Sequence, residues 1–589
     1  MYQQTYYVDK RSNTYADVLV AYGLAAVLDE ILAQARGRDA PRRIWIRDAG
    51  PYYTVKLPEP LQEAWVNDCS PFVLAPFVQT RKVSPPEGFP EGVAAVRDYE
   101  AGWERFRAYR QARTDLRKTA KEGEAVDSDA QRALDALRPA PSFWVLALVG
   151  DWRMQAISTY NTAVRQWWGT WERQVVNLKA ILEMCAAPAV DLDIISKKWG
   201  KQIKHKGLKR NLTASQLFNP HQGKGQNRTK ANALAMGNER SFWLLEYLKV
   251  VGLWQCAVPR TVRGGDDRKT YVLSPMSITL AAHKAVFQTF SGRLWNETAV
   301  KMDCVAALLY TKTLLEYSEA GQYDELDFEG YGPDRVVSGF HVTQYKLLSR
   351  NAYTALNLAF IGLPRWTGEA TTREEVRLLK EVIEEHCNII SAIDETRSNG
   401  YNLLLQYRDF LSGRQLGAFF EFAVGYSQYL TSEWEAGHRW VRPFRTDFLG
   451  RLIVNHQRKL KEIIESQGFQ NVAYAIRYST IIPQGRKARG ESSLYDIRYG
   501  LGRELKQKAN RRDDFVVALG DFMQSYNAEN AQKLESTGQQ MRRDLRTGDV
   551  AAVVELVDEY GPQVVCNLLV AYGYAREPRE DNTDKSAQE

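Results

Sequence analysis

The sequence TYADVLVAYGLAAVLDEILAQA, residues 14–35, decides the fold of the first third of the chain. Its apolar residues, beginning with Val18, Leu19 and Tyr22, recur at helical spacing and predict an amphipathic helix with one apolar stripe. Two short strands are predicted to follow, at residues 43–47 (RIWIR) and 52–57 (YYTVKL). The tetrapeptide DAGP between them is typical of a hairpin turn. We therefore expect α/β character in this part of the chain.

Mixed structure is also predicted further along the chain. Residues 100–138 are strongly charged, with helical spacing, and predict an exposed pair of helices. The apolar run SFWVLALV, residues 142–149, predicts a buried strand. Further strands are predicted at residues 272–280 and 335–346, and the polar, Gly-rich sequence of residues 260–269 predicts a turn.

From about residue 371 onward, proline becomes rare and 3.6-residue periodicity dominates, which predicts a helical bundle. The predicted fold class is therefore α+β, an N-terminal mixed α/β lobe followed by a C-terminal helical bundle. We predict the lobe at residues 1–370, the bundle at residues 371–576 and a polar, disordered tail at residues 577–589.

Composition narrows the class of protein. A chain of 589 residues is too long for one core, and its net charge of +7 is mild. The six cysteines form no CxxC pair, so neither a zinc site nor a disulfide framework is indicated, and scattered thiols favour the cytoplasm. The N-terminal sequence lacks the apolar segment of a signal peptide, and no apolar run approaches the roughly 20 residues that cross a bilayer. We expect no membrane partner.

Known catalytic motifs are missing from the sequence. It contains no HExxH, no GxSxG, no Walker GxxxxGK[ST] and no GxGxxG after a predicted strand. The Gly-Lys-Gly triplet of residues 223–225 lacks the spacing and the hydroxyl residue of a P-loop. We therefore expect a protein that is not an enzyme and that needs no cofactor or metal.

The most informative functional feature is a basic run at residues 196–230, which contains ten Lys or Arg and no Asp or Glu. A run of one sign needs a partner that neutralises it, and phosphate backbones fit this requirement. Its first part predicts phosphate contacts by Lys197, Lys198, Lys201, Lys204, Lys206, Lys209 and Arg210. A Gly- and amide-rich loop follows, and we expect base-edge and phosphate contacts there from Asn219, Gln222, Lys224, Gln226, Asn227, Arg228 and Lys230.

A second basic zone lies at residues 477–512, where ten Lys or Arg are accompanied by three acidic residues. Leu494, Ile497, Leu501 and Leu505 predict the buried stripe of one helix, with basic residues on its opposite face. A mobile loop is predicted beside it at residues 485–490 (GRKARG). The predicted nucleic-acid-binding residues here are Arg486, Lys487, Arg489, Arg503, Lys506, Arg511 and Arg512.

Several of these sequences together resemble the large subunit of a type I CRISPR interference complex (Cascade), most nearly that of type I-B. They are DVLVAYGLA at residues 17–25, NPxxGKGxNRxK at 219–230, LYDIRYGLGRELK at 494–506 and SYNAEN at 525–530. The resemblance covers most of the chain as separate blocks.

The resemblance implies a non-catalytic subunit. Its N-terminal lobe would contact the crRNA 5′ end and recognise the protospacer-adjacent motif (PAM) in duplex DNA. Its bundle would resemble the small subunit and hold the displaced single strand of the R-loop. The implied protein partners are the backbone, crRNA-end and small subunits of Cascade and a helicase–nuclease, or transposition factors in its place. We assign PAM recognition to residues 219–230 because the chemistry of that loop also fits.

Two other classes of protein remain open. One is a metal-dependent nuclease whose carboxylates are dispersed along the chain, which cleavage by the purified protein would reveal. The other is a general RNA-binding assembly factor, which would bind any RNA with equal affinity and need neither guide nor PAM.

Overall fold

The structure is a computed structural model that describes residues 1–92, 94–121, 128–203, 207–221, 240–319, 333–368, 372–413, 416–492, 495–538 and 542–578. The chain divides into two compact units, Met1–Glu297 with Glu316–Leu363, and Thr298–Leu315 with Pro364–Glu589. All strands of the described residues belong to the first unit, whereas the second is a run of helices. The predicted α+β class is confirmed.

The strands of the first unit form small sheets. They are β1 (Thr5–Asp9), β2 (Trp45–Asp48), β3 (Tyr52–Lys56), β4 (Phe77–Gln79), β5 (Val96–Asp98), β6 (Asn211–Thr213), β7 (Arg240–Phe242), β8 (Ala257–Thr261), β9 (Arg268–Pro275), β10 (Ser277–Thr279), β11 (Val337–Ser349) and β12 (Ala352–Gly362). Two four-stranded antiparallel sheets have the orders β1-β3-β2-β10 and β12-β11-β9-β8. β4 and β5 pair in parallel, and β6 pairs with β7 in antiparallel fashion.

Helices connect and cover these sheets. The first unit contains α1 (Tyr15–Arg36), α2 (Glu63–Asn67), α3 (Tyr99–Lys121), α4 (Ser128–Leu137), α5 (Phe143–Val149), α6 (Ile157–Gly169), α7 (Gln174–Met184), α8 (Leu192–Ile203), α9 (Trp243–Cys256) and α10 (Leu280–Arg293). Helix α11 (Ala299–Glu319) crosses the boundary between the units, and the short α12 (Pro333–Val336) precedes β11.

The second unit continues with α13 (Arg373–Ala392), α14 (Ser398–Ser412), α15 (Gly417–Glu435), α16 (Thr446–His456), α17 (Lys461–Glu465), α18 (Gln467–Ser479), α19 (Ile481–Ala488), α20 (Leu501–Lys508), α21 (Arg512–Thr537), α22 (Thr547–Tyr560) and α23 (Pro562–Gly573). The carboxylate of Glu395 accepts hydrogen bonds from the backbone N–H groups of Val300 and Lys301, at 3.0 and 2.8 Å. These bonds satisfy free donors at the start of α11. No helix of the described residues is both long enough and apolar enough to cross a membrane.

Helix α1 forms where the sequence predicts it, but the prediction that it has a single apolar stripe is wrong. Almost all its side chains from Tyr15 to Ala33 are buried, because α9 and strands of both four-stranded sheets surround it. A β-carbon at Gly23 would overlap the carbonyl group of Leu248, and one at Gly252 would overlap that of Leu19. The backbones of α1 and α9 are therefore in contact, and this helix pair is the centre of the first unit.

The predicted hairpin is confirmed. Strands β2 and β3 pair from Trp45↔Lys56 to Asp48↔Tyr53, and Gly50 adopts a φ of 86° in the turn. The predicted strand at residues 142–149 is wrong, because Phe143–Val149 is helix α5. All seven of its residues are buried. Full burial removes the periodicity that distinguishes a helix from a strand in a short apolar run.

Candidate nucleic-acid interface

Helix α8 presents the first lysines of the basic run to solvent. Its inner face buries Ile195, Trp199 and Ile203, and the indole N–H of Trp199 donates to Asn177 at 2.8 Å. Lys197, Lys198 and Lys201 are exposed on the other face. Lys198 forms a 2.7 Å ion pair with Glu183, which compensates part of its charge. The helix therefore offers Lys197 and Lys201 as cations without an ion pair to another described residue.

Beyond α8, the chain forms what we call the β6–β7 groove, a cavity of about 510 Å³. It is lined by the cations Lys209, Arg210 and Arg240, by the hydroxyl residues Ser158, Thr159, Thr162 and Thr213, and by Asn211 and Leu212. No acidic residue is in this lining, and none of the three cations has an ion pair with another described residue. The groove has the charge and the hydrogen-bond donors that phosphate oxygens require.

Local hydrogen bonds hold this groove in shape. The amide side chain of Gln166 accepts from the backbone N–H of Lys209 at 2.7 Å and donates to its carbonyl group at 3.1 Å. Pairing of β6 with β7, with Thr213 opposite Arg240, brings Arg240 beside the basic run. Ser158 and Thr159 lie in the first turn of α6, where backbone N–H groups and the helix dipole favour an anion. Arg240 lies beyond the basic run in sequence, so composition alone did not identify it.

Asn219 does not have the exposed position that the sequence predicts. It is only 2% exposed, and its amide donates to Glu246 at 3.0 Å and to the Ser215 carbonyl at 3.2 Å. Its side-chain oxygen accepts from the ammonium of Lys249 at 2.5 Å. The predicted exposure of Asn219 is therefore wrong, because its polar atoms already bind the buried charged groups of Glu246 and Lys249.

Part of the predicted recognition loop lies outside the described residues. Residues 204–206 and 222–239 lie outside the described residues, and they include Lys204, Lys206, Gln222, Lys224, Gln226, Asn227, Arg228 and Lys230. The role predicted for these eight side chains remains a prediction. Only Glu577 and Pro578 of the predicted tail, residues 577–589, are among the described residues. Glu577 forms an ion pair with the buried Arg477.

The second unit contains an arginine groove, a cavity of about 660 Å³. Its lining includes five arginines, Arg439, Arg442, Arg486, Arg489 and Arg576, together with Trp434 and Tyr478, and it includes no acidic residue. Arg489 forms a 2.6 Å ion pair with Glu491, and Arg576 lies 3.7 Å from Glu385. Arg439, Arg442 and Arg486 have no ion pair with another described residue. Basic and aromatic side chains in one groove are typical of sites that bind single strands.

Contacts between distant parts of the chain build this groove. The carbonyl of Arg442 accepts from the Tyr426 hydroxyl at 2.7 Å, and the carbonyl of Val441 accepts from the Trp434 indole at 2.9 Å. A backbone bridge between Arg445 and Arg576 brings the end of α23 to the same place. Arg439 is exposed, and its sequence neighbour Trp440 is 61% exposed.

Glu385 is a second acidic group next to the arginine groove, beside Arg576. Burial raises the pKa of its carboxyl to about 7, although the backbone N–H of Arg445 and the charge of Arg576 oppose this shift. Glu385 accepts from the Arg445 N–H at 3.1 Å. The charge of Glu385, and with it the compensation of Arg576, therefore changes near neutral pH.

The structure brings only some residues of the second basic zone together. The predicted loop at residues 485–490 is wrong, because α19 continues through Ala488 and places Arg486 on the wall of the groove. The predicted helix with Leu494 and Ile497 is shorter and begins at Leu501, after Gly500 with a φ of 80°. Leu494 lies outside the described residues.

The remaining predicted cations of this zone lie outside the groove lining, and several already have partners. Lys487 lies 3.3 Å from the hydroxyl of Tyr499, and Lys506 forms a 2.5 Å ion pair with Glu421. Arg512 pairs with Asp558 and Asp513, which raises the pKa of its guanidinium. Arg503 and Arg511 are exposed.

Sequence reasoning missed Arg439, Arg442 and Arg576. The sequence HRWVRPFR, residues 438–445, alternates basic with aromatic residues and could have indicated the first two. Arg576 has no local signal, because only the backbone bridge to Arg445 brings it near. Among the described residues, no group of three or more His, Cys, Asp or Glu could hold a metal ion.

Comparison with known proteins gives no family assignment. No protein-family model, no curated protein and no solved structure matches the chain at a significant level.

Proposed function

We propose that the chain is the non-catalytic large subunit of a type I CRISPR Cascade complex, most like type I-B, and that it acts in the cytoplasm. In this role it recognises the PAM in duplex DNA, stabilises the R-loop by binding the displaced strand, and recruits a helicase–nuclease or transposition factors. Guide pairing supplies sequence specificity in such complexes, so the protein itself needs a short recognition element and broad basic surfaces.

The arginine groove is the observation that carries this proposal. Five arginines with Trp434 and Tyr478 fit a flexible single strand better than a rigid duplex, because unstacked bases can lie on aromatic rings while arginines hold phosphates. The β6–β7 groove is a second basic site, and its hydroxyl groups and cations fit a phosphate backbone. Each unit therefore offers one surface for nucleic acid, as the two roles of the subunit require.

A reconstituted complex tests the proposal. The chain is assembled with crRNA and the other Cascade subunits, and a PAM-containing duplex with 2-aminopurine in the displaced strand reports R-loop opening. We expect the double variant Arg439→Gln/Arg442→Gln to lower R-loop stability while assembly on crRNA and binding of the PAM duplex persist. The matched control is Lys459→Gln, a basic residue outside the groove lining.

Three results would contradict the proposal and separate the alternatives. Failure of the chain to join the crRNA complex would exclude the subunit role. Metal-dependent cleavage by the purified chain would favour the nuclease. Equal affinity for unrelated RNAs, without a need for guide or PAM, would favour the assembly factor.

A further inference from the structure

The first unit contains a second kind of cavity, an aromatic cleft of about 650 Å³. Helix α3 contributes Trp103, Tyr109, Arg110 and Arg113 to its lining, and the segment after α10 contributes Trp295 and Asn296. The size lies within the roughly 300–1,000 Å³ that small-ligand sites occupy. None of these residues belongs to the β6–β7 groove or to the arginine groove.

Stacked rings and a guanidinium form one side of the cleft. The rings of Tyr109 and Trp295 are nearly parallel, with an angle of 9° and a centroid distance of 6.0 Å. The Arg113 guanidinium lies 4.8 Å from the centre of the Trp295 ring. Arg105 donates to the carbonyl of Ala136 at 2.7 Å, and this bond ties α3 to α4. The stack therefore rests on a braced helical hairpin.

Several polar side chains of the cleft lack an ion pair or a hydrogen bond to another described residue. Arg110 and Arg113 form no ion pair with another described residue, whereas Glu297, the acidic residue in the lining, already pairs with Arg263 at 2.9 Å. The side-chain oxygen of Asn296 is buried and accepts no hydrogen bond within the described part of the chain. A buried acceptor of this kind is rare in proteins and calls for a donor from a ligand.

We propose that the aromatic cleft binds one unpaired nucleotide, either a free mononucleotide or a nucleotide within a single strand. The base would stack against the aromatic side chains, an amino or ring N–H group of the base would donate to Asn296, and the phosphate would bind Arg110 and Arg113. A divalent cation does not fit, because arginines would repel it. This site holds whether or not the chain joins a CRISPR complex.

The test uses the full chain and isothermal titration with AMP, GMP, CMP and UMP, and then with single-stranded hexamers. The hexamers are titrated into the Arg439→Gln/Arg442→Gln background, so that strand binding at the arginine groove does not hide the cleft. We expect Arg113→Gln to weaken binding about tenfold, the loss of one charge-assisted hydrogen bond. The matched control, Arg107→Gln, changes an exposed arginine of the same helix outside the lining and should leave the affinity unchanged.

The two titrations also distinguish a free mononucleotide from a nucleotide within a strand. Binding of mononucleotides identifies a free ligand, and binding of hexamers alone identifies a strand. Asn296→Ala should reduce discrimination among the four bases, with circular dichroism confirming that the variants fold. The proposal is overturned if wild type binds neither probe, or if Arg113→Gln and Arg107→Gln have equal affinities. An effect of the Arg439→Gln/Arg442→Gln change on R-loops is independent of these results.

Discussion

Gly23 of α1 lies directly against the main-chain carbonyl of Leu248 in α9, with no room for a β-carbon between them. We expect Gly23→Ala to force the two helices apart and to lower the free energy of unfolding by about 1–3 kcal/mol, the usual effect of overpacking. Urea denaturation followed by tryptophan fluorescence measures this change.

The control for this prediction is Gly200→Ala in α8. Gly200 is helical and has open space where its β-carbon would lie. Alanine favours a helix over glycine by up to about 1 kcal/mol, so this variant should be neutral or more stable. Equal stability of both variants would show that the α1–α9 contact tolerates an added methyl group.

Asn219→Ala should destabilise the protein and leave its nucleic-acid preference unchanged. The change removes an acceptor from the buried Lys249 ammonium and a donor from Glu246, and unsatisfied groups of this kind cost about 1–3 kcal/mol. Thermal unfolding measures the loss, and Gln202→Ala, at an exposed amide of α8, is the control. Altered PAM preference with normal stability would instead assign Asn219 to recognition.

The arginine groove predicts a specific dependence on salt. For the purified chain and a single-stranded DNA, replacing Arg439 by Gln should weaken binding for all sequences alike. It should also reduce the slope of log affinity against log salt by up to about 0.7, because one phosphate contact is lost. Fluorescence anisotropy measures the affinity at salt concentrations from about 50 to about 200 mM, and the slope is taken from these values.

Lys459→Gln is the control for the groove. Lys459 is exposed in the second unit and has no ion pair with another described residue, but it lies outside the groove lining. Its replacement should leave the slope unchanged. Equal slopes for the Arg439 and Lys459 variants would place strand binding elsewhere on the unit.

The raised pKa of the Glu385 carboxyl predicts that the free energy of unfolding falls as pH rises toward neutrality. Burial raises the pKa of its carboxyl from 4.5 to about 7, so the folded protein binds this proton more tightly than the unfolded chain. The resulting stabilisation is complete below pH 4.5 and is lost as pH rises through 7. Arg445, Arg576 and Asp447 are the charged groups that face it.

Comparison with Glu385→Gln isolates this effect. Between pH 4.5 and 7, the free energy of unfolding of the wild type should fall relative to that of the variant, by up to about 3 kcal/mol. Glu381→Gln, an exposed position one turn earlier on α13, should retain the wild-type pH dependence. A parallel pH profile for wild type and Glu385→Gln would contradict the buried, protonated carboxyl.

Local sequence predicted the elements that local interactions determine. Helix α1, the β2–β3 hairpin and the charged helices α3 and α4 follow from spacing and turn residues. The helix Phe143–Val149 was not predicted, because burial on all sides removes the periodicity of its sequence. The helical structure of residues 485–488 was not predicted either, because a Gly-rich polar sequence can still continue a packed helix. Each error has tertiary packing as its cause.

The candidate site was predictable only where charge is contiguous in sequence. The exposed lysines of α8 and the pair Lys209 and Arg210 come from such a run. The exposure of Asn219 was predicted wrongly because its partners, Glu246 and Lys249, lie 27 and 30 residues further along the chain. Long-range contacts likewise assemble the arginine groove from four segments, and no single segment of sequence contains that information.

Helix α11 makes the two units interleaved in the chain. The second unit takes Thr298–Leu315, the chain then returns to the first unit for β11 and β12, and it re-enters the second unit at Pro364. A fragment that begins at residue 364 would lack the buried Met302, Leu308 and Leu314, and the carboxylate of Glu395 would lose the helix whose first N–H groups it binds. Recombinant expression of the helical unit alone therefore requires a permuted gene that restores residues 298–315.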